Sequence, residues 1–252
     1  MGRAMRAAMF LVLTTVIPAA GGAEPDFDGQ RRRMVEEVAA MARSTSWELG
    51  REGFSPPVLR ALGAVPRHRF VPDNAVHAAY RNRPLSIGLG QTISKPYIVA
   101  LSAELIDPKP GHNVLEVGTG SGYQAAILAE LVQTVYSIEI VEPLGRQAAD
   151  RLAALDYRNV EVRIGDGYQG WPEKAPFDGI VVTAAAPRVP MPLVEQLKPG
   201  GRMVIPVGRL PDEQELLLVV KRPDGVVQVR TVISVRFVPL TGPGADANAP
   251  TR

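Results

Sequence analysis

The sequence predicts an α/β fold, with a doubly wound, mostly parallel sheet, an antiparallel hairpin at its C-terminal edge and an N-terminal helical segment. From residue 113 onward, short apolar runs alternate with helix-periodic stretches, as in βαβ units. The first run ends in closely spaced glycines, which is typical of a strand followed by a tight turn and a helix. Only a turn at 223–225 separates the last two apolar runs, so we expect them to pair as a hairpin.

Residues 1–23 have the three-part layout of a secretory signal peptide. Two arginines precede an apolar stretch over 7–17, and small residues at 21–23 offer a cleavage site. The apolar stretch is too short for a stable membrane span. We therefore expect an exported, periplasmic protein with no stable membrane association after cleavage. The alternative is a cytoplasmic protein whose true start lies near Met34.

Residues 24–106 are predicted to form an N-terminal helical and loop segment. Apolar residues recur at helical spacing over 30–43. Ser55 followed by two prolines is typical of an N-cap and the first turn of a helix. Further pieces are predicted as a helical turn or two at 74–80, an extended piece at 84–87, a flexible loop with glycines 88 and 90, and a helix at 96–105.

Residues 107–241 are predicted to form the α/β domain, and residues 242–252, rich in proline, glycine and alanine, a disordered tail. The periodicity of apolar residues separates strands from helices in this domain. Strands are predicted at 113–117, 135–140, 160–164, 179–183, 202–207, 215–221 and 226–238. Helices are predicted at 123–131, 144–155 and 191–197.

The composition is that of a globular protein able to build a core. The chain has 252 residues, 46% of them apolar, which suits one α/β domain with an appendage. A formal net charge of +2 without a long basic run does not indicate nucleic-acid binding. Because cysteine is absent and the three histidines lack metal-ligand spacing, we predict neither disulfides nor a metal site.

The stretch Asn113-Val-Leu-Glu-Val-Gly-Thr-Gly-Ser-Gly-Tyr-Gln124 indicates a site for an adenosine-containing ligand. Glycines let the backbone approach a ligand, and the helix that follows presents unpaired N–H groups. Glu139 ends the next apolar run, about 20 residues downstream, where nucleotide-binding α/β folds place the acid that binds ribose hydroxyls.

The spacing of the glycines separates the ligand classes. A dinucleotide fingerprint has its third glycine one residue after the position of Gly122. Glu116, beside the turn, suits a ligand with a cationic amino group and a sulfonium better than one with two phosphates. The residues alone thus favour an S-adenosylmethionine-dependent methyltransferase, and leave open a nucleotide oxidoreductase or a turn without a ligand.

The motifs together resemble the protein-L-isoaspartate (D-aspartate) O-methyltransferase family of class I S-adenosylmethionine-dependent enzymes. The resemblance spans roughly Val35 to Thr241. It implies a Rossmann-like sheet and transfer of a methyl group from S-adenosylmethionine to the free α-carboxylate of L-isoaspartyl and D-aspartyl residues in damaged proteins and peptides. Besides the glycine turn, the motifs that carry it are Gly90-Gln-Thr-Ile-Ser-Lys-Pro-Tyr97, Gly165-Asp-Gly167, Ala175-Pro-Phe-Asp178 and Phe237-Val-Pro-Leu-Thr241.

On the acceptor side, the resemblance implies that Ser94 is the catalytic position, beside the substrate carboxylate and the transferring methyl group. Thr92 and Ile93 would line the cofactor site next to it, and the loop over 84–97 would select the substrate. From the residues alone, Ser94 reads as the N-cap of the helix that begins near Pro96.

On the cofactor side, the resemblance implies that Glu116 holds the amino group, Glu139 the ribose and Asp166 the adenine amine. The alternative for the two glutamates is a polar residue at the end of a strand, and the alternative for Asp166 is an aspartate that bonds its own turn. The remaining cofactor-binding positions implied are Gly118, Thr119, Gly120, Gly122, Gly167 and Thr241.

Other function classes stay open at this point. An NAD-linked oxidoreductase would use the same nucleotide fold, and a binding or chaperone-like module would keep the fold without catalysis. A methyltransferase for small molecules or nucleic acid is a further alternative, which the near-neutral charge disfavours for nucleic acid. We expect a monomer that acts on isoaspartyl proteins and peptides.

Overall fold

The computed structural model describes residues 25–46, 50, 52–209 and 213–244. The predicted signal peptide at 1–23 and residues 245–252 of the predicted tail lie outside the described residues. Within the described part of the chain, no helix combines the length and the apolar character needed to cross a membrane. The α-helices are α1 Phe27–Ser44, α2 Pro56–Ala64, α3 Pro96–Leu105, α4 Tyr123–Ala129, α5 Glu142–Ala154 and α6 Met191–Glu195. The strands are β1 Leu85–Gly88, β2 Gln91–Ile93, β3 Asn113–Val117, β4 Thr134–Glu139, β5 Val160–Ile164, β6 Phe177–Val182, β7 Leu197–Val207, β8 Gln214–Lys221 and β9 Val227–Val235.

A seven-stranded sheet forms the centre of the protein, in the order β5-β4-β3-β6-β7-β8-β9. Strands β3 to β7 pair in parallel, and β7-β8 and β8-β9 pair antiparallel. The predicted α/β class and the antiparallel edge hairpin are therefore confirmed. Strand order reverses at β3, which has β4 on one side and β6 on the other, and this is where doubly wound sheets open a crevice for ligands.

Two hydrophobic cores cover the two faces of the sheet. Along β6, Val181 belongs to the first core, and Ile180 and Val182 belong to the second, because successive side chains of a strand point to opposite faces. The first core also contains the buried residues of α1 to α4, whereas α6 packs in the second. The N-terminal helices thus form one layer with α4, the helix that follows the glycine turn.

The N-terminal helices begin at recognisable signals. Asp26 caps α1, since its carboxylate accepts the Gly29 N–H at 2.7 Å. Ser55 occupies the N-cap position of α2, as predicted, but its side chain does not cap that helix. Its N–H and its hydroxyl both donate to Glu104 Oε2 at 2.8 Å, so this serine ties the start of α2 to α3.

The loop predicted at glycines 88 and 90 is a β-hairpin instead. Strand β1 pairs antiparallel with β2, with Leu85 opposite Ile93 and Ser86 opposite Thr92. Gly88, Leu89 and Gly90 all have positive φ angles, which allows the tight reversal between the strands. Strand β2 was missed because three residues are too few to show a period-two pattern.

Several predicted elements end earlier than expected, and the structure gives the reason for two of them. The helix predicted at 191–197 stops at Glu195, because Leu197 already pairs with Phe177 in the sheet. The strand predicted at 226–238 stops at Val235. Beyond it the backbone of Phe237 bonds a side chain, Gln214, instead of a neighbouring strand.

Candidate functional site

A cavity opens at the carboxyl ends of β3, β4 and β6, at the point where the strand order reverses. It encloses about 760 Å³ of space, including its opening to solvent. We call it the donor cavity. Its walls come from the segments 91–94, 116–121, 123–124, 138–141 and 238–241, together with Val99, Gly167, Thr183 and Ala184.

The glycine turn forms the floor of this cavity. Gly118, Gly120 and Gly122 all have positive φ angles, which residues with side chains adopt only with strain. A Cβ atom at Gly118 would lie 2.3 Å from Thr183 Oγ1. The Thr183 hydroxyl in turn donates to the Gly118 carbonyl at 2.6 Å. The turn therefore presents backbone to the cavity, and Thr183, the residue after β6, holds the turn in place.

Glu116 lies on β3 beneath the turn and is fully buried. Ser137 donates a short hydrogen bond to Glu116 Oε2, and Thr119 donates to Ser137 Oγ at 2.6 Å. Oε1, the other carboxyl oxygen of Glu116, is buried without a hydrogen-bond partner within the described chain. Burial raises the pKa of Glu116 to about 8, and the nearby carboxylate of Glu139 adds to that rise.

Glu139 ends β4 on the opposite side of the turn and is 6% exposed. Its Oε2 accepts the Gly120 N–H at 2.8 Å, and its Oε1 accepts the Val141 N–H at 2.9 Å. Each carboxylate oxygen has a second lone pair, so both remain able to accept a hydroxyl donor from the cavity. The two backbone bonds fix the carboxylate at the cavity wall.

Strand β2 and the residue after it bring Thr92, Ile93 and Ser94 to the cavity wall. Ser94 is not the N-cap of α3; that position is Lys95, and no side chain caps the helix. Within the described residues the Ser94 hydroxyl makes no hydrogen bond, whereas the Ser94 carbonyl accepts one from Arg67 Nη2 at 2.8 Å. The hydroxyl is thus not committed to the structural role that the residues alone suggested.

A second, more open cavity adjoins the donor cavity. We call it the outer groove. It encloses about 1180 Å³, open solvent included. Thr92, Ser94, Thr183 and Val238 line both spaces. Its other walls come from Pro84, Lys95 and Ile98 on one side and from residues 213–214 and 234–237 on the other.

The predicted adenine-side residues have different positions. Gly167 lines the donor cavity, and a Cβ atom there would lie 2.4 Å from Val117 Cγ1. The carboxylate of Asp166 caps its own turn by accepting the Tyr168 N–H at 3.0 Å, and it accepts the Gly244 N–H at 2.7 Å. Asp166 does not contribute to the described cavity wall.

Thr241 lies at the end of a segment that crosses the cavity after β9. We call residues 237–241 the C-terminal strap. The strap runs beside Ala185, whose N–H donates to Val238 O and whose carbonyl accepts from Leu240 N, both at 2.8 Å. Thr241 lines the donor cavity together with the three strap residues before it.

The sequence analysis did not identify several polar residues of the cavity wall, among them Thr183 and Gln124. Thr183 follows β6, and its position at the carboxyl end of a strand beside β3 was the signal that could have found it. Gln124 lies in the first turn of α4 and its Nε2 is buried without a hydrogen-bond partner within the described chain. No local pattern distinguishes Gln124 from a polar surface residue of an amphipathic helix.

The sequence comparisons agree with one another. A family model described as Protein-L-isoaspartate(D-aspartate) O-methyltransferase (PCMT) matches residues 43–245. The chain is 57% identical over 236 residues to Protein-L-isoaspartate O-methyltransferase 1 of Cupriavidus necator, covering 94% of this chain and 90% of that one. It is 58% identical over 209 residues to Protein-L-isoaspartate O-methyltransferase 2 of Polaromonas sp. (strain JS666), covering 83% of this chain and 99% of that one.

Solved structures share the fold. A structure named protein-L-isoaspartate O-methyltransferase superposes with a TM-score of 0.74 at 27% identity, covering 84% of this chain and 66% of that one. A beta-aspartate methyltransferase (PCMT) from Plasmodium falciparum, in complex with S-adenosyl-L-homocysteine, superposes with a TM-score of 0.69 at 24% identity. That match covers 84% of this chain and 98% of the other.

Proposed function

The chain belongs to the protein-L-isoaspartate(D-aspartate) O-methyltransferase family, and we propose how its own residues carry out that family's reaction. The enzyme transfers a methyl group from S-adenosylmethionine to the free α-carboxylate of L-isoaspartyl and D-aspartyl residues in damaged proteins. The other product is S-adenosylhomocysteine. This function replaces the oxidoreductase and the non-catalytic binding module that the sequence alone left open.

The donor cavity suits S-adenosylmethionine. Its floor is glycine backbone at Gly118 and Gly120, both of which line the cavity, and the missing side chain at Gly118 lets Thr183 pack against the turn. The unpaired Oε1 of Glu116 needs a donor, and an ammonium group supplies one with a positive charge. Glu139 offers two fixed oxygens to vicinal ribose hydroxyls. We assign these residues to the amino-acid and ribose parts of the cofactor.

Other cofactor contacts follow from the cavity wall. We assign Thr92, Ile93, Thr119, Gly120, Gly122, Gly167 and Thr241 to cofactor binding, because each lines the donor cavity or forms its turn. We assign Asp166 to the adenine amine, because its two carboxyl oxygens accept one N–H each, from Tyr168 and Gly244, and each keeps a second lone pair. The test for Asp166 is Asp166→Asn, which should weaken binding of S-adenosylhomocysteine.

When bound, the cofactor supplies a methyl group already activated by its sulfonium. The acceptor carboxylate is ionised at neutral pH, so the protein needs no general base. What the protein must do is align the acceptor oxygen with the methyl carbon and exclude water. A neutral hydroxyl can orient the carboxylate without stabilising its charge so strongly that the ground state is favoured.

We assign that orienting role to Ser94. The observation that carries the assignment is that Ser94 lines both the donor cavity and the outer groove, with a hydroxyl that makes no bond within the described chain. The acceptor oxygen and the methyl carbon must meet where the two cavities join, so a residue that orients the acceptor must lie at that junction. We expect Ser94→Ala to lower kcat by about 10²-fold while leaving the affinity for S-adenosylhomocysteine within threefold. An unchanged kcat in labelled methyl transfer to an isoaspartyl peptide would refute the role of Ser94.

The outer groove would hold the acceptor chain. It lies between the residue pair Ser94–Lys95 and the strand end at 234–237, and it is open at its outer side, so an extended peptide can enter. We infer contacts directed mainly at the peptide backbone, because damaged sites occur in many sequences. Peptides matched except for the isoaspartyl linkage test this. Equal methylation of the normal aspartyl peptide would contradict it.

We propose that the enzyme acts as a monomer; a mass in solution of two or more chains would overturn this. The net charge of +2 supports proteins and peptides, and not nucleic acid, as partners. The pattern over 1–23 supports export to the periplasm, with a cytoplasmic location as the alternative. N-terminal sequencing of the protein from its native cell tests export; a chain that starts at Met1 would overturn it.

A further inference from the structure

Arg67 is fully buried and has no carboxylate partner within the described chain. It lies on a 3-10 turn over Arg67–Phe70, between α2 and β1. Burial lowers the pKa of Arg67 to about 10, and the Tyr123 hydroxyl acts against that shift, so the guanidinium stays charged at neutral pH. A buried cation matched only by neutral groups costs folding free energy. Because the buried guanidinium of Arg67 does not stabilise the fold by an ion pair, we looked for a role in the reaction.

The guanidinium contacts three separate parts of the chain. Nη2 donates to the Ser94 carbonyl at 2.8 Å. Nε donates to the Ala79 carbonyl, also at 2.8 Å. Cζ lies 4.7 Å from the centroid of the Tyr123 ring, a cation–π contact. Tyr123 is the first residue of α4 and lines the donor cavity.

These contacts join Ser94, which we assign to orienting the acceptor carboxylate, to α4, the helix that follows the glycine turn. Ser94 belongs to the short segment between β2 and α3, and its own hydroxyl bonds nothing within the described chain that could hold it in place. The planar guanidinium presents its donors in a fixed fork, so bonding Ala79 O and Ser94 O together sets the Ser94 backbone in one orientation. Stacking on Tyr123 sets that orientation relative to the donor cavity.

We propose that Arg67 is a positioning residue for methyl transfer: it holds the Ser94 main chain so that the hydroxyl meets the acceptor carboxylate in line with the methyl group. The inference rests on the proposed role of Ser94. Arg67 lines neither cavity, so it acts through Ser94 and not on either substrate. A misplacement of about 1 Å at a reacting group can cost 10²-fold in rate.

The test compares Arg67→Met, which keeps the apolar stem, with Arg67→Lys, which keeps a charge but loses the fork. We expect Arg67→Met to lower kcat about 10- to 100-fold, with the Kd for S-adenosylhomocysteine within threefold of wild type. Arg67→Lys should restore part of the loss. Arg69→Met is the matched control, because Arg69 lies two positions away on the same turn and is exposed, and it should leave kcat unchanged.

A double variant separates positioning from general damage. If Arg67 acts through Ser94, then Arg67→Met should cost less than threefold in kcat when it is added to Ser94→Ala. Losses that multiply would overturn the proposal, as would a wild-type kcat in Arg67→Met or a loss of cofactor affinity in proportion to kcat. If Arg67→Met does not fold, Arg67→Lys decides: a wild-type kcat overturns the proposal, and a loss of fivefold or more with intact cofactor binding supports it.

The failures are distinguishable. Wild-type activity in Ser94→Ala would refute the role of Ser94, and this inference with it. A strong loss in Ser94→Ala beside no loss in Arg67→Met would refute the positioning role alone.

Discussion

At the scale of single residues, the site depends on buried polar groups whose partners are incomplete. Glu116 has one oxygen bonded by Ser137 and one oxygen free within the described chain. An incompletely bonded carboxyl in a core destabilises the fold unless it is protonated or finds a ligand. The state of the Glu116 carboxyl therefore affects both the stability of the fold and the binding of the cofactor.

The first prediction concerns the pH dependence of stability without cofactor. The folded-state pKa of Glu116 is raised from 4.5 to about 8, so between these values the folded protein binds more protons than the unfolded chain. The free energy of unfolding should then fall as pH rises from 4.5 towards 8. Urea unfolding measured across this pH window should show that the free energy of unfolding changes less with pH in Glu116→Gln, whose side chain stays neutral throughout.

Glu37→Gln is the control for this prediction, because Glu37 is exposed on α1. In Glu37→Gln, the free energy of unfolding should change with pH as steeply as in the wild type. Equal slopes for wild type and Glu116→Gln would show that Glu116 titrates normally in the fold.

The second prediction concerns Gly118. Its φ of +97° is unfavourable for any side chain, and a Cβ atom would collide with Thr183. Gly118→Ala should lower the free energy of unfolding by about 1–3 kcal/mol and abolish measurable binding of S-adenosylhomocysteine. Chemical denaturation and calorimetric titration measure the two effects.

Gly63→Ala provides the matched comparison. Gly63 lies in α2 with no heavy atom within 4 Å of an added Cβ, so alanine there should be neutral or stabilise by up to about 1 kcal/mol. Full cofactor affinity in Gly118→Ala would argue against the glycine turn as the floor of the cofactor site.

At the scale of elements, three irregular segments complete a cavity that the sheet begins. The segment after β2, the glycine turn after β3 and the C-terminal strap after β9 each contribute wall residues. At the start of the strap, the backbone of Phe237 is bonded by the side chain of Gln214 and not by the backbone of a strand. Gln214 Oε1 accepts the Phe237 N–H at 2.6 Å, and Gln214 Nε2 donates to Phe237 O at 3.3 Å.

The third prediction follows from that clamp. Gln214→Ala removes both bonds and leaves two backbone groups of Phe237 without their partner, which should cost about 1–3 kcal/mol of stability. A displaced strap should also weaken binding of S-adenosylhomocysteine. Gln228→Ala, at an exposed position on β9, should change neither quantity. Unaltered cofactor affinity in Gln214→Ala would show that the strap does not contact the cofactor.

At the scale of the whole molecule, the donor cavity joins parts of the chain far apart in sequence. Its walls include residues 91–94 from the N-terminal segment, residues 116–121 and 123–124 at the centre and residues 238–241 near the C-terminus. A ligand bound there stabilises every element that must be in place to hold it. Cofactor binding should therefore order all three segments together.

The fourth prediction expresses this coupling. In hydrogen exchange, S-adenosylhomocysteine should slow amide exchange in residues 91–94, 116–124 and 238–241 at once. Residues 30–40 of α1, which do not line the cavity, should exchange as in the free protein. Protection limited to 116–124 would mean that the N-terminal segment and the strap do not close on the cofactor.

Much of the fold follows from the chain alone. Strands β3 and β5 have the predicted bounds: β3 is a buried, mostly apolar run, and β5, at the edge of the sheet, alternates apolar and charged residues. The edge hairpin also follows, because Pro223-Asp-Gly225 is too short for a crossover helix. The hairpin β1–β2 does not, since its pairing depends on tight glycine geometry and not on periodicity.

The α/β class, the glycine turn, and the places of Glu116 and Glu139 on neighbouring strands follow from the sequence, because they depend on the order and spacing of apolar runs along the chain. Three contacts are visible only in the folded protein: Thr183 lies against Gly118, Arg67 bonds the Ser94 carbonyl and Gln214 bonds the strap at Phe237. Those contacts join residues separated by 23 to 65 positions. Such pairs meet through packing of whole elements, which leaves no local pattern to read.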